Sequence, residues 1–208
     1  MPVGFPNRGK WRIHRGKPHL ELHHRGRPVL IDSGCVNYDR EKEREGYLKS
    51  RAAHNTVVVE PVEKDEWPGT STFYSIRKFS PDPDGGRVTA TCRYRGKGAP
   101  YVWVRTVKLA GSVLEITDKL TARRTMRCAL HFHTAPCRIN RRRGRVEALG
   151  RGWNFSLQCE DSSERILRPS IRRYLAIDET NQRFQAPDIS FRQSGRTASF
   201  KTTIQLNP

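Results

Sequence analysis

The sequence predicts an all-β fold, an antiparallel β-sandwich of the supersandwich-like kind with minimal helix. Three observations predict it. Short apolar–polar alternations recur along the chain, β-branched residues concentrate in them, and Gly/Pro/Asp clusters separate them. The 208 residues suffice for one large β domain with a real core. Four Trp, six Tyr and eight Phe supply its bulk, although only 35% of the residues are apolar.

The elements follow in order. Residues 1–18 form a basic, Gly/Pro-containing and degenerate N-terminal segment, and residues 19–208 the sandwich domain. Residues 28–32 are an apolar run closed by Ser33 and Gly34. Residues 41–50 are charged and are the one helical candidate, either a short helix or a structured loop. Residues 56–59 are β-branched throughout. Strand alternation returns at 88–94, 102–107, 113–118, 128–133, 155–159 and 199–204, with the Pro/Asp/Gly cluster at 81–86 as a turn. His131 and His133 flank Phe132, so both imidazoles point to one sheet face. With no third ligand nearby in sequence, they read as surface or packing residues. Residues 138–151 are basic with little apolar content and read as an exposed hairpin.

The net charge of +18 implies an anionic partner: nucleic acid, acidic polysaccharide or lipid headgroups. The plain alternative is a set of solvated arginine-rich faces. No helix-turn-helix, zinc-finger or RNP-like aromatic pattern supports nucleic acid. Five widely scattered cysteines without a CxxC pair argue against a disulfide framework or zinc ribbon, and read as small core residues. No apolar run approaches the ~20 residues of a membrane helix, and no signal-peptide core is read at the N-terminus.

Residues 19–60 carry a resemblance. His19-Leu20-Glu21-Leu22, then Gly26-Arg27-Pro28 and a strand ending at Asp32-Ser33-Gly34, resemble a strand–turn–strand signature of the heparinase II/III-like polysaccharide lyases. Arg51-Ala52-Ala53-His54-Asn55-Thr56-Val57-Val58-Val59 resembles the family's most specific block. Weaker similarity runs through Glu66-Trp67, Phe73 to Ile76, Arg105 to Val107, 114–118 and 131–133. The resemblance implies the C-terminal β-sandwich of enzymes that begin with a large α/α toroid. It also implies an acidic polysaccharide such as a glycosaminoglycan, alginate or an exopolysaccharide as substrate, and a bacterial periplasm or cell envelope as the setting.

Those lyases act by β-elimination: a base removes the proton beside a uronate carboxylate and the neighbouring glycosidic oxygen leaves. The carboxylate charge must be neutralised meanwhile. The resemblance implies that the toroid supplies most of this machinery and that the sandwich adds a His from a His-x-His-x-Asp motif. Here Arg12 stands over that His and Gly16 over that Asp. Arginine's very high pKa prevents it from acting as a base at neutral pH. The resemblance therefore implies a domain inactive without its toroid or partner chain; the alternative is a non-catalytic, basic carbohydrate-binding sandwich.

The second motif His survives as His14. With Asp32 and His54 it maps onto the zinc ligands of several relatives, and two imidazoles and a carboxylate leave a fourth tetrahedral position for water. Histidines at strand ends more often serve as hydrogen-bonded structural residues. His54 is also the candidate catalytic base. Arg12, Tyr38, Tyr47, Arg51 and Asn55 are the candidate substrate contacts, since an arginine fork can hold a uronate carboxylate. For His54 and Asn55 the competing role is satisfaction of buried backbone groups.

Overall fold

A computed structural model describes residues 18–34, 48, 50–60, 72–82, 85–94, 100–178, 180 and 182–207, with backbone alone at 72–74, 77–79 and 82. The strands in chain order are β1 (Leu22–His24), β2 (Arg27–Leu30), β3 (Val57–Glu60), β4 (Thr72–Asp82), β5 (Gly85–Tyr94) and β6 (Tyr101–Ala110). They continue as β7 (Val113–His133), β8 (Cys137–Arg142), β9 (Arg145–Gly150), β10 (Trp153–Glu160), β11 (Ser170–Ile177) and β12 (Arg183–Asn207). Every pairing among them is antiparallel. The predicted all-β sandwich is the observed architecture. Helix among the described residues amounts to Leu48 and a 3-10 turn at Arg51–Ala53.

Two long strands organise the molecule. The main sheet has the order β4-β5-β6-β7-β12-β10-β9-β8, while β3 adds to β7 and β11 adds to β12. The first part of β7 pairs with β6 and its end pairs with β3. Likewise the start of β12 pairs with β11 and its end with β10. Each long strand therefore serves both halves of the fold. The sequence reading placed separate strands at 113–118 and 128–133, but the chain joins them into the 21 residues of β7. Residues 121–127 lack apolar alternation because they are mostly exposed, and so they read as a break. Opposite them the register shifts between Gly195 and Thr197, a bulge that lets the paired strands bend.

The core lies where inward-facing positions of the strands meet. Trp103, Ile116, Leu120, Phe132, Phe155, Leu157, Phe191 and Phe200 are fully buried there. Each such side chain contributes about 1.5–3 kcal/mol of burial free energy. The basic segment predicted as an exposed hairpin is β8–β9, and exposure describes only one of its faces. Val146 and Ala148 on the other face are fully buried, which ties the hairpin to the core. Cys92, Cys128 and Cys159 are buried free thiols and Cys137 is a half-buried one. Burial pushes the Cys128 and Cys159 thiols up to about 12, so they remain protonated, chemically quiet core groups. Cys35 lies outside the described residues.

Candidate functional site

The β1–β2 hairpin turns at Arg25 and Gly26, both in the left-handed region. It then docks on the end of β7: the Ile31 amide donates to the His133 carbonyl and the Ala135 amide to the Val29 carbonyl. That docking carries Asp32 to the rim of the sandwich. Gly34 holds it there, its amide donating to Asp32 Oδ1 at 3.0 Å. Its φ of +84° and an approach that would set a Cβ 2.1 Å from the Ile177 carbonyl oxygen leave room only for glycine. His54 arrives as the residue closing the 3-10 turn, its amide bonded to the Arg51 carbonyl.

Three side chains converge at this rim. His54 Nδ1 lies 2.9 Å from Asp32 Oδ2, and His19 Nε2 lies 3.4 Å from the same oxygen. One ligand atom from each of His19, Asp32 and His54 lies within 4.8 Å of the others. Burial pushes the Asp32 carboxyl up, but the His54 hydrogen bond and the two imidazoles outweigh it and hold the group below its usual range. Burial lowers the His19 pKa, Asp32 opposes it and His54 adds to it, with a net downward shift.

Metal–ligand arms of ~2.0–2.2 Å set donor atoms about 3.3–3.6 Å apart. The His19–Asp32 separation fits that spacing, whereas the 2.9 Å His54–Asp32 contact is a hydrogen bond that a metal would have to open. The tautomer of His19 does not match. Its Nδ1 accepts the Asn55 backbone N–H at 3.0 Å, so the neutral ring carries its proton on Nε2, the atom that faces Asp32. In this arrangement His19 is a hydrogen-bond donor rather than a zinc ligand. His54 also donates to Asp32 through Nδ1, so a metal bound at that atom would have to displace the proton to the other ring nitrogen.

Asn55 is the post of the site. It is fully buried, its side-chain NH2 donates to the Leu20 and Ile31 carbonyls, and its Oδ1 accepts the His133 amide. Of its two predicted roles, substrate contact and backbone satisfaction, this geometry corresponds to the second. Arg51 is 7% exposed; it donates to the Tyr101 hydroxyl and lies over the Tyr94 ring. This inward placement makes it an anchor of the turn. Arg12, His14, Tyr38 and Tyr47 lie outside the described residues.

Behind Asn55 stands a charged pair that the sequence reading passed over. Arg105 and Asp118 face each other across β6 and β7 in the core, 2% and 0% exposed, with a two-pronged contact at 2.8 and 3.0 Å. Trp103 Nε1 donates to the same carboxylate at 2.7 Å. The remaining arm of Arg105 donates to the Pro18 and Asn55 carbonyls, which brackets both histidine-bearing segments. The signal was present in the alternation, because Arg105 and Asp118 occupy inward positions among Trp103, Ile116 and Leu120. A second trio was also missed. Asp188 of β12 joins His131 and His133 of β7, with one ligand atom from each within 4.8 Å of the others. Burial lowers the His133 pKa to about 4.

The comparisons with known proteins agree with this fold. A heparinase III gene product with methylated lysines matches with a TM-score of 0.69 at 16% identity, over 90% of this chain and 29% of its own. A mutant of the heparan sulfate lyase HepC from Pedobacter heparinus matches with a TM-score of 0.69 at 15% identity, over 90% of this chain and 30% of its own. A further heparinase III structure gives a TM-score of 0.70 at 13% identity, over 89% of this chain and 29% of its own. The chain thus spans less than a third of the length of these structures, and at such identities the likeness is one of fold. Comparison with curated proteins returns no match. The family described as heparinase II/III-like, C-terminal, matches residues 3–206, and the chain belongs to that family.

Proposed function

We propose that this domain forms one wall of a cleft for a uronate-containing polysaccharide and serves a lyase completed by an α/α toroid domain or partner chain. The observation that carries the reading is the convergence of His19, Asp32 and His54 at the rim of a domain with a net charge of +18. Glycosaminoglycans, alginate and bacterial exopolysaccharides all present the carboxylates such a surface attracts. In the elimination, a base takes the proton beside the carboxylate as the glycosidic C–O bond breaks, leaving an unsaturated uronate. Asp32 orients the His54 ring, Asn55 and Arg105 hold the backbone around it, and the cationic surface offsets the substrate's charge. Asp32 and His54 would hold zinc, with His14 as the third donor that the family resemblance implies; the ion would supply positive charge at the site.

Titration of alginate and of a heparin-like chain at low and high ionic strength tests the charged wall. Affinity should fall steeply with salt, because the contacts between exposed charges are screened. Equal affinity at both salts, or none at either, would remove the basis of this reading. Retained binding with no activity in any combination with a toroid would favour the purely carbohydrate-binding alternative, which Arg12 at the catalytic His position already suggests.

A further inference from the structure

The second trio differs from the first in a way that bears on metal binding. His131 and His133 are two apart on β7, so both imidazoles leave the same face of the sheet. Asp188 sits directly opposite His133 on the antiparallel neighbour β12, and diagonal to His131. Two imidazoles on one strand and a carboxylate on the next place three donor atoms within 4.8 Å of one another, which leaves a fourth tetrahedral position over. His131 Nδ1 lies 3.1 Å from both Asp188 oxygens, and His133 Nε2 lies 3.8 Å from Oδ1. At His19 a backbone N–H occupies one nitrogen and turns the proton toward the would-be metal. Here the ring nitrogens face a carboxylate, which can only accept, and the proton His131 presents to it is one that a metal displaces.

We propose that His131, His133 and Asp188 form a second divalent-cation site of the zinc class, separate from the rim trio. The two rings lie parallel with centroids 6.0 Å apart, so loading requires one of them to turn about its terminal torsion, a soft degree of freedom for histidine. Access is from the His131 side, which is 13% exposed while His133 is fully buried. The consequence of occupancy is mechanical. The cation ties β7 to β12 immediately behind Asn55, whose Oδ1 holds the His133 amide, and so stiffens the base on which the Asp32 and His54 segments rest.

Zinc uptake by the full chain, read by equilibrium dialysis with elemental analysis, tests this directly. Cobalt absorption serves as a second readout of a tetrahedral nitrogen–oxygen site. The His54→Ala chain, which lacks the rim trio, should still take up one equivalent. His131→Ala and Asp188→Asn should each weaken that uptake by about tenfold or more. Zinc should also raise the melting temperature of the His54→Ala chain, an increase lost when His131→Ala is added. An unfolded variant is recognised by its melting curve, and the Asp188→Asn chain, which keeps the side-chain shape, then decides. No uptake by the His54→Ala chain, or uptake unchanged by both His131→Ala and Asp188→Asn, overturns the proposal and leaves the rim reading untouched.

Discussion

The described residues of 101–207 and of 18–60 share one hydrophobic core, but polar side chains do much more of the positioning in the second set. In the first region strands lie against strands, and Trp103, Phe155, Phe200 and their neighbours bury apolar area on the inward face. In the second the strands are short, three residues in β1 and four each in β2 and β3. There the chain is placed by single polar side chains reaching backbone groups: Asn55 to Leu20, Ile31 and His133, Arg105 to Pro18 and Asn55, and His19 to the Asn55 amide. Apolar burial tolerates similar replacements, because it depends on volume and pattern. A buried polar post has no such tolerance, since its loss strands every group it satisfied. The rim site should therefore be far more sensitive to single substitutions than the body that carries it.

The substitution with the largest expected effect joins the two regions. Arg105→Ala leaves Asp118 buried without its cation and releases the Pro18 and Asn55 carbonyls, at a cost of about 3–5 kcal/mol. Chemical denaturation should show it, and Arg105→Lys should not restore the loss, because one ammonium cannot reproduce the fork. Urea unfolding of Asn55→Ala should show a smaller loss of roughly 3 kcal/mol, two buried carbonyls and an amide losing their partner. The informative readout there is local: imidazole NMR signals of His19 and His54 should shift, while those of residues on the far side of the body stay in place. Unmoved imidazole signals would sink the idea that Asn55 is the post of the site. Gly34→Ala should cost about 1–3 kcal/mol from the forced backbone conformation alone, with the displacement of the Ile177 carbonyl, which the new Cβ would approach to 2.1 Å, added to it. Because it moves Asp32, it should disturb the Asp32–His54 contact more than its stability cost suggests.

The same contrast explains what was legible in the sequence. The body is local information: alternation at 102–107, 113–118 and 155–159 marks strands that the structure contains within β6, β7 and β10. It misled at 121–127, where an exposed bend has no apolar pattern although the backbone keeps its pairing. It also marked no strand at Ser170–Ile177 or over the first part of β12, while the ends of β4 and β5 at 81–82 and 85–86 read as turn. The block from Arg51 to Val59 announced a special segment, and the pairing of Asp32 with His54 follows the family's signature. His19 was passed over because it lies in a strand-like run, and nothing in its spacing says that Asn55 will reach it. Asp188 was invisible as a partner of His131, since register between β7 and β12 joins residues more than fifty apart. Asn55 as a post needed the docking of β2 on β7, a tertiary event that no window of sequence contains. Arg105 and Asp118 were different, for a charge in an inward-facing position of two neighbouring alternations is a readable signal of a buried pair.

The central claim is that this domain supplies a supporting wall and depends on a toroid for the chemistry. Following the unsaturated uronate product by its ultraviolet absorbance tests it most directly, with alginate, heparin and heparan sulfate as substrates. The purified chain alone should give little or no product, because Arg12 cannot act as the base and the remaining groups are those proposed for the toroid. Product should appear when a toroid domain is added, and should fall when Asp32→Ala removes the partner that orients His54. Robust turnover by the chain alone, abolished by His54→Ala, would contradict the account and make His54 the catalytic base.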